Sequence, residues 1–264
     1  MADARLDRAA RLIADQRLKP RPTVRLPPEL APADQAEAYA IQARLRRLLG
    51  EAGSGAHVGW KIGSTTAAMR KLLGVPAPAA GAILAKGVLE NPAALAHSGF
   101  RRVGVECEVA IRLARDLVPT SRPIDRSDVE TAVDVLYPAI EIVDDRYGDF
   151  QAVGTNTMIA DDFFHAAIVL GPAVSAWRGL ELAAAAGVTR VNGLEVQRGR
   201  GADVLGHPFN SLAWLANRLA EIGERLTAGQ VVMTGSLTLP HWAAAGDKVV
   251  IAIDGLGEAS IAFI

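Results

Sequence analysis

The chain is poor in every feature that would mark it as secreted, membrane-bound or fibrous. Of its 264 residues a single one, Cys107, is a cysteine, which excludes an internal disulfide framework and fits a reducing compartment. Neither sign of charge is in excess: 28 Lys and Arg stand against 29 Asp and Glu, so no net field favours nucleic acid or an anionic membrane. No uninterrupted apolar run is long enough to span a bilayer. The first residues, MADARLDRAARL, carry charges throughout and lack the apolar centre of a signal peptide. No internal repeat is visible, and low complexity is confined to the AAAA at 183–186. These absences leave an expected cytoplasmic protein with a small-molecule partner, no nucleic acid and no membrane.

What is present is enough apolar material for a sizeable core, since half the residues are hydrophobic and 22% are charged. Leu6, Ala9, Leu12, Ile13 and Leu18 recur near helical spacing, and a second helical stretch, ADQAEAYAIQARLRRLLGEAG, comes after a Pro-rich break. Pro32, Asp34 and Gln35 suit a helix start, and Gly50 or Gly53 a stop. Residues 1–55 therefore read as a helical prefix. From VGWKIGS onward, β-rich runs are expected at 57–63, 81–84, 102–113, 137–145, 165–170, 188–198, 230–234, 247–254 and 257–263. Helical stretches fall between some of them: TTAAMRKLL, RSDVETAVDVL and PFNSLAWLANRLAEIG. The DGLG before residue 258 makes the last two runs a hairpin. This order predicts an α+β fold, with a mixed β-roll or distorted barrel over 56–264 behind the helical prefix.

Two stretches carry the chemistry. In VGVECEVAIRL, Glu106 and Glu108 share one face of a strand, while Val105, Cys107 and Val109 share the other. Such acids are ordinarily the wet face of an antiparallel strand. In YPAIEIVDD, however, Glu141 lies between apolar residues on both faces, and an ionised carboxylate there needs a cation or several donors. A buried Glu–Arg pair or a neutral Glu would also satisfy that position. If Glu141 faces Glu106 and Glu108, three carboxylates converge, and oxygen-only ligation selects Mg²⁺ or Mn²⁺ over zinc. The five histidines show no ligand-like spacing, and His207, just before Pro208, reads as structural at a helix start with Asn210 or Ser211 as alternative caps.

The stretches VECEVAIRLARDL and YPAIEIVDDRY resemble the fumarylacetoacetate hydrolase superfamily, and specifically its 2-keto-4-pentenoate hydratase and 4-oxalocrotonate decarboxylase branch. GWKIGSTTAAMRKLLGV, GRGADVLGHPFNSLAWLA, VVMTGSL and the helical prefix extend the likeness over nearly the whole chain. The resemblance implies a Mg²⁺ or Mn²⁺ held by Glu106, Glu108 and Glu141, and a small 2-oxo acid as substrate. It implies Lys61 as carboxylate anchor or proton-transfer group, Asp161 as a second acid near the site, and Thr234, Gly235 and Ser236 as a loop contacting the substrate carboxylate. It also implies a homo-oligomer, with association with a related decarboxylase or hydratase.

The chain departs from that pattern in two places. VPAPAAGAIL carries Ala79 and Ala80 before Gly81, where the hydratases have an acid and an aromatic. IADDFFHAA carries Asp162, Phe163 and Phe164 where the branch has Asn and small residues, so Phe164 is expected to reshape the substrate pocket. The expected function is a metal-dependent hydratase adding water to a 2-hydroxy-2,4-dienoate in aromatic catabolism. The alternatives are decarboxylation of an oxalocrotonate, C–C hydrolysis of an acylpyruvate, and a catalytically weakened partner subunit.

Overall fold

Amphipathic pairing builds the amino-terminal part. In the computed structural model, which describes residues 2–19, 25–148 and 152–264, helix α1 (Ala2–Leu18) buries Leu6, Ala9 and Ile13 against Ile41 and Leu45 of α2 (Gln35–Leu49). Asp34 starts α2 by accepting a hydrogen bond from the Glu37 amide at 2.9 Å, and Gly50 closes it. The opposite side of α2, with Ala38 and Tyr39, packs into the main core. The helical prefix is thus fastened to the β-rich remainder of the chain.

Beyond it the backbone forms two sheets. The first contains β1 (His57–Gly63), β2 (Ala79–Leu84), β3 (Val88–Leu89), β5 (Val103–Leu113), β6 (Val133–Asp144), β7 (His165–Leu170), β10 (Val231–Ser236) and β11 (His241–Trp242). Their order is β2-β1-β10-β5-β6-β7-β3, with β11 on the end of β5; β1 pairs with β10, and β3 with β7, in parallel. The second sheet runs β4 (Ala93–Leu95), β13 (Gly257–Phe263), β12 (Lys248–Ile253), β8 (Ala186–Val191) and β9 (Leu194–Arg200). Among the described residues four α-helices intervene: α3 (Ala67–Leu73), α4 (Arg126–Ala132), α5 (Thr155–Ala160) and α6 (Pro208–Glu221). The result is the mixed α+β roll expected from the sequence.

Three expectations need correction. The single run at 188–198 is two strands, β8 and β9, because Asn192 and Gly193 both take positive φ (51° and 85°) and turn the chain back on itself. The run at 137–145 begins at Val133, where α4 passes straight into β6. His207 is itself the cap of α6: its ring Nδ1 accepts from the Phe209 amide at 2.9 Å, so Asn210 and Ser211 are not needed for it.

Alternation along β5 and β6 sorts the two faces of the first sheet. Val105, Cys107, Val109, Ile140 and Ile142 join the core shared with Val249, Ile251 and Phe263 of the second sheet. The other face carries a separate apolar cluster, with Ala110, Tyr137, Ala139, Ile168 and Met233. Glu108 and Glu141 lie next to Ala110 and Ala139 on that same face.

Candidate functional site

The register of β5 against β6 sets Glu106 directly opposite Glu141, with Glu108 two residues along and paired on its other side with Ser236. One carboxylate oxygen from each of the three lies within 4.8 Å of the others. Glu108 and Glu141 are fully buried, and Glu106 opens onto a cavity. A solvated strand face is therefore ruled out. Nor, among the described residues, is there a Glu–Arg pair at the cluster: the cation beside it is Lys61, whose Nζ is 3.2 Å from Glu141 Oε1.

The electrostatics of three acids so close are lopsided. Burial, aided by the charge of Glu141, pushes the Glu106 carboxyl up to about 8, and burial together with its two neighbours raises Glu108 well above the ordinary range. For Glu141 burial works in the same direction, but Lys61 and a hydrogen bond from His165 outweigh it and hold it below its usual value. Glu108 Oε1 and Glu141 Oε2 have no hydrogen-bond partner although both are buried. Converging carboxylates with unpaired oxygens and no sulfur or imidazole among them are the donor set of a hard divalent cation, so the residues fit such an ion.

The remaining lone pairs are committed to aiming the acids. Glu108 Oε2 accepts from the Gly235 amide at 2.8 Å, and Glu141 Oε1 is 2.9 Å from His165 Nδ1. Burial keeps the His165 ring below its normal pKa, so it donates as a neutral imidazole. Gly235 is required there: its φ is 107°, and a Cβ would run into the Thr65 side chain. Lys61 donates to the Phe163 carbonyl at 2.7 Å and lies 5.3 Å from the Phe163 ring centroid.

That carbonyl is presented by an unusual backbone. Asp162, Phe163 and Phe164 all have positive φ (52°, 52° and 68°), a conformation that costs energy in non-glycine residues and persists when the surroundings enforce it. Asp162 supplies part of the enforcement, accepting from the Ala82 amide at 3.0 Å and from Arg17 Nη1 at 2.7 Å. Gly63 and Gly81 supply the room, since a Cβ on either would collide with the Phe163 ring or the Asp162 carbonyl. Asp162 is thus a buried brace, not an additional charge in the substrate space.

A cavity of about 320 Å³ opens over the acids. Of the residues expected at the site, Lys61, Glu106, Phe164 and Ser236 line it. Thr234 does not: it is fully buried and spends its hydroxyl on the Val109 carbonyl at 2.8 Å. Asp161 is also off the wall, its carboxylate held by Arg146 Nε and the Tyr147 hydroxyl, each at 3.0 Å. Ala79 and Ala80 are buried against α2, with the Ala80 amide bonded to the Tyr39 hydroxyl and its carbonyl to Gln42.

Residues 78–262 match the fumarylacetoacetate (FAA) hydrolase C-terminal family. The chain belongs to the fumarylacetoacetate hydrolase family. Two family members align over most of both chains: 4-oxalocrotonate decarboxylase of Pseudomonas putida is 34% identical over 87% of this chain and 85% of its own length. 2-Keto-4-pentenoate hydratase of Burkholderia vietnamiensis is 35% identical over 87% of this chain and 86% of its own. Among solved structures, the 4-oxalocrotonate decarboxylase from Pseudomonas putida G7, complexed with magnesium and adipate, superposes with a TM-score of 0.92. It is 29% identical and covers 100% of this chain and 99% of its own.

Several contributors in this family member carry little or no signal in its sequence. His165 opens β7 in an unremarkable strand pattern and reaches Glu141 through the shift in pairing between Ile142 and Val143. Arg146 and Tyr147 stand in the stretch DDRY but find their use only once α5 brings Asp161 back to them. Arg102, Val143, Asp145 and Trp242 line the cavity from three separate segments, and nothing in their local sequence marks them as neighbours.

Proposed function

We propose that the chain is a divalent-metal-dependent lyase acting on a small 2-oxo acid or its enol, and that it hydrates a 2-hydroxy-2,4-dienoate. The observation that carries this reading is the convergence of Glu106, Glu108 and Glu141 within 4.8 Å, two of them with unpaired buried oxygens, beneath a cavity that Lys61 also lines. These three side chains would hold Mg²⁺ or Mn²⁺. When bound, the ion supplies Lewis-acid polarisation of the substrate's 2-oxo or enol oxygen.

The rest falls to the protein's own groups. The titratable residues among those lining the cavity are Lys61, Arg102, Glu106 and Asp145. With Glu106 assigned to the ion, Lys61 is the group placed next to the acids to hold the substrate carboxylate or pass a proton as the dienol becomes the ketone. Phe163, Phe164, Leu73 and Val143 provide apolar wall against the hydrocarbon part. Ser236, which lines the cavity beside Glu108, is our candidate for the substrate-carboxylate contact. Asp161 acts by position, fixing Arg146, which in turn bonds the His165 carbonyl at 3.1 Å.

Decarboxylation of an oxalocrotonate is the second reading. It is favoured by the likeness to 4-oxalocrotonate decarboxylase of Pseudomonas putida, 34% identical over 87% of this chain. Purified protein with Mg²⁺ or Mn²⁺ is offered 2-hydroxypenta-2,4-dienoate and oxalocrotonate separately. Metal-dependent loss of the diene absorbance with formation of a hydroxy-oxo acid supports hydration; release of CO₂ without hydration assigns the second reading. Light scattering of the same preparation measures the homo-oligomer that the family resemblance implies. Cys107, unbridged and buried, suits the cytoplasmic setting we infer.

A further inference from the structure

Beyond His165 lies a second cavity that the chemistry above does not use. It holds about 320 Å³ and is bounded by the ends of α1 and α2, by β2, β3 and β4, and by the start of β7. Its walls are largely apolar, with Leu49, Leu84, Leu89, Leu95 and Phe100 among them. The cations Arg17 and Lys86 stand at its rim, Lys86 exposed and Arg17 partly so. Inside it is the ring of His165, a residue only 3% exposed.

The two nitrogens of that ring have different fates. Nδ1 gives the ring hydrogen to Glu141 Oε1 at 2.9 Å, so Nε2 keeps its lone pair. Nε2 is buried and has no hydrogen-bond partner among the described residues. It is turned to the cavity side, since a Cβ on Gly87, which also lines the cavity, would stand 4.0 Å from it. A buried acceptor in apolar surroundings is costly unless a donor reaches it. The rim has the opposite need. Lys86 forms no ion pair among the described residues, and its Nζ stands 3.7 Å from where a Cβ on Gly53 would be, in the turn that follows α2. Arg17, committed to Asp162 at 2.7 Å, is a second cation on the same side of the cavity as α1.

We propose that this cavity is a second ligand site, for a short aliphatic carboxylate that carries a hydroxyl group. The hydroxyl donates to His165 Nε2, the hydrocarbon lies against the leucines and Phe100, and the carboxylate meets Lys86. The hydroxy-oxo acid formed by the proposed hydration carries both groups, so on that reading the occupant is the enzyme's own product. A donor on Nε2 polarises the ring and strengthens its hydrogen bond to Glu141, which draws charge from the acid and loosens its hold on the ion. The site then acts as a feedback device.

The test uses 4-hydroxypentanoate, which lacks the 2-oxo group and so needs no ion, with pentanoate as its control. Each is titrated calorimetrically into the full-length protein without metal. The wild type is expected to bind 4-hydroxypentanoate at least about fivefold more tightly, the worth of one hydrogen bond to a buried acceptor. Leu89→Trp, which fills the cavity from β3, is expected to abolish binding of both acids. Lys86→Met, at an exposed position that leaves the fold intact, is expected to weaken both alike, and a thermal melt of each variant accompanies the titrations. With 4-hydroxypentanoate at saturation, the Kd for Mn²⁺ is expected to rise at least about twofold. Equal affinity for the two acids, no binding of either, or binding that both variants leave unchanged overturns the proposal. An unchanged Kd for Mn²⁺ overturns the feedback role. Absence of Mn²⁺ binding to the wild type overturns the ion reading instead, and the metal-free titrations still decide the second site.

Discussion

At the scale of single residues, the question is how a sheet tolerates three acids on a closed face. Lys61 and His165 compensate one of them, Glu141, and the Gly235 amide part of another, which leaves the cluster short of positive charge. Glu141→Gln removes the acid that both neighbours address, and calorimetry with Mn²⁺ is expected to find no high-affinity site. His165→Ala leaves all three acids in place but frees Glu141 to rotate; ion affinity is expected to fall about 10- to 100-fold. Lys61→Met should behave oppositely. Mn²⁺ binds no more weakly, because a competing cation has left Glu141, while kcat drops by roughly 10²- to 10⁴-fold for lack of a proton-transfer group. A variant that loses both together would remove Lys61 from the chemistry.

At the scale of elements, the three left-handed residues between α5 and β7 are held by the groups that pack on them. Gly81→Ala drives a methyl toward the Asp162 carbonyl, 2.6 Å from the ideal Cβ position. The expected cost is about 1–3 kcal/mol in a denaturant titration, with Lys61 losing its carbonyl partner. The α6 cap gives a pH-dependent counterpart. Burial and the charge of Arg126 lower the His207 pKa, so the folded state binds fewer protons there than the unfolded chain. Its contribution is complete above the unfolded value near 6.5 and is lost as pH falls through the lowered one, because a protonated Nδ1 no longer accepts from the Phe209 amide. His207→Ala should cost about 1 kcal/mol at pH 8 and less at pH 5. Elements with a strong period or a local signal were legible in the sequence: β5 by alternation, α2 by its Asp34 cap, the last hairpin by DGLG. The Asn192–Gly193 turn carried a signal that the apolar residues on either side masked. Short pieces such as β11 exist because a partner strand is there, and α5, with six residues, is too brief to show a period. The acidic triad was readable because its members lie on regular strands; Asp161 and Thr234, expected at the cavity, sit off it because hydrogen bonds to distant segments turn them away.

At the scale of the whole molecule, ion binding and folding are one equilibrium. An ion present at a hundred times its dissociation constant should stabilise the native state by about 2.7 kcal/mol, seen as a rise in Tm that EDTA reverses and Glu141→Gln abolishes. Among the described residues no helix is long and apolar enough to cross a membrane, and α1 instead packs along α2 beside the roll. Its last turn sends Arg17 to Asp162 at 2.7 Å and to Asp161 at 3.6 Å, behind the segment whose carbonyl steadies Lys61. The amino-terminal helix therefore works as a remote splint. Proteolytic clipping ahead of residue 25 would silence turnover at a distance, leaving the cavity lining chemically whole but its lysine unmoored.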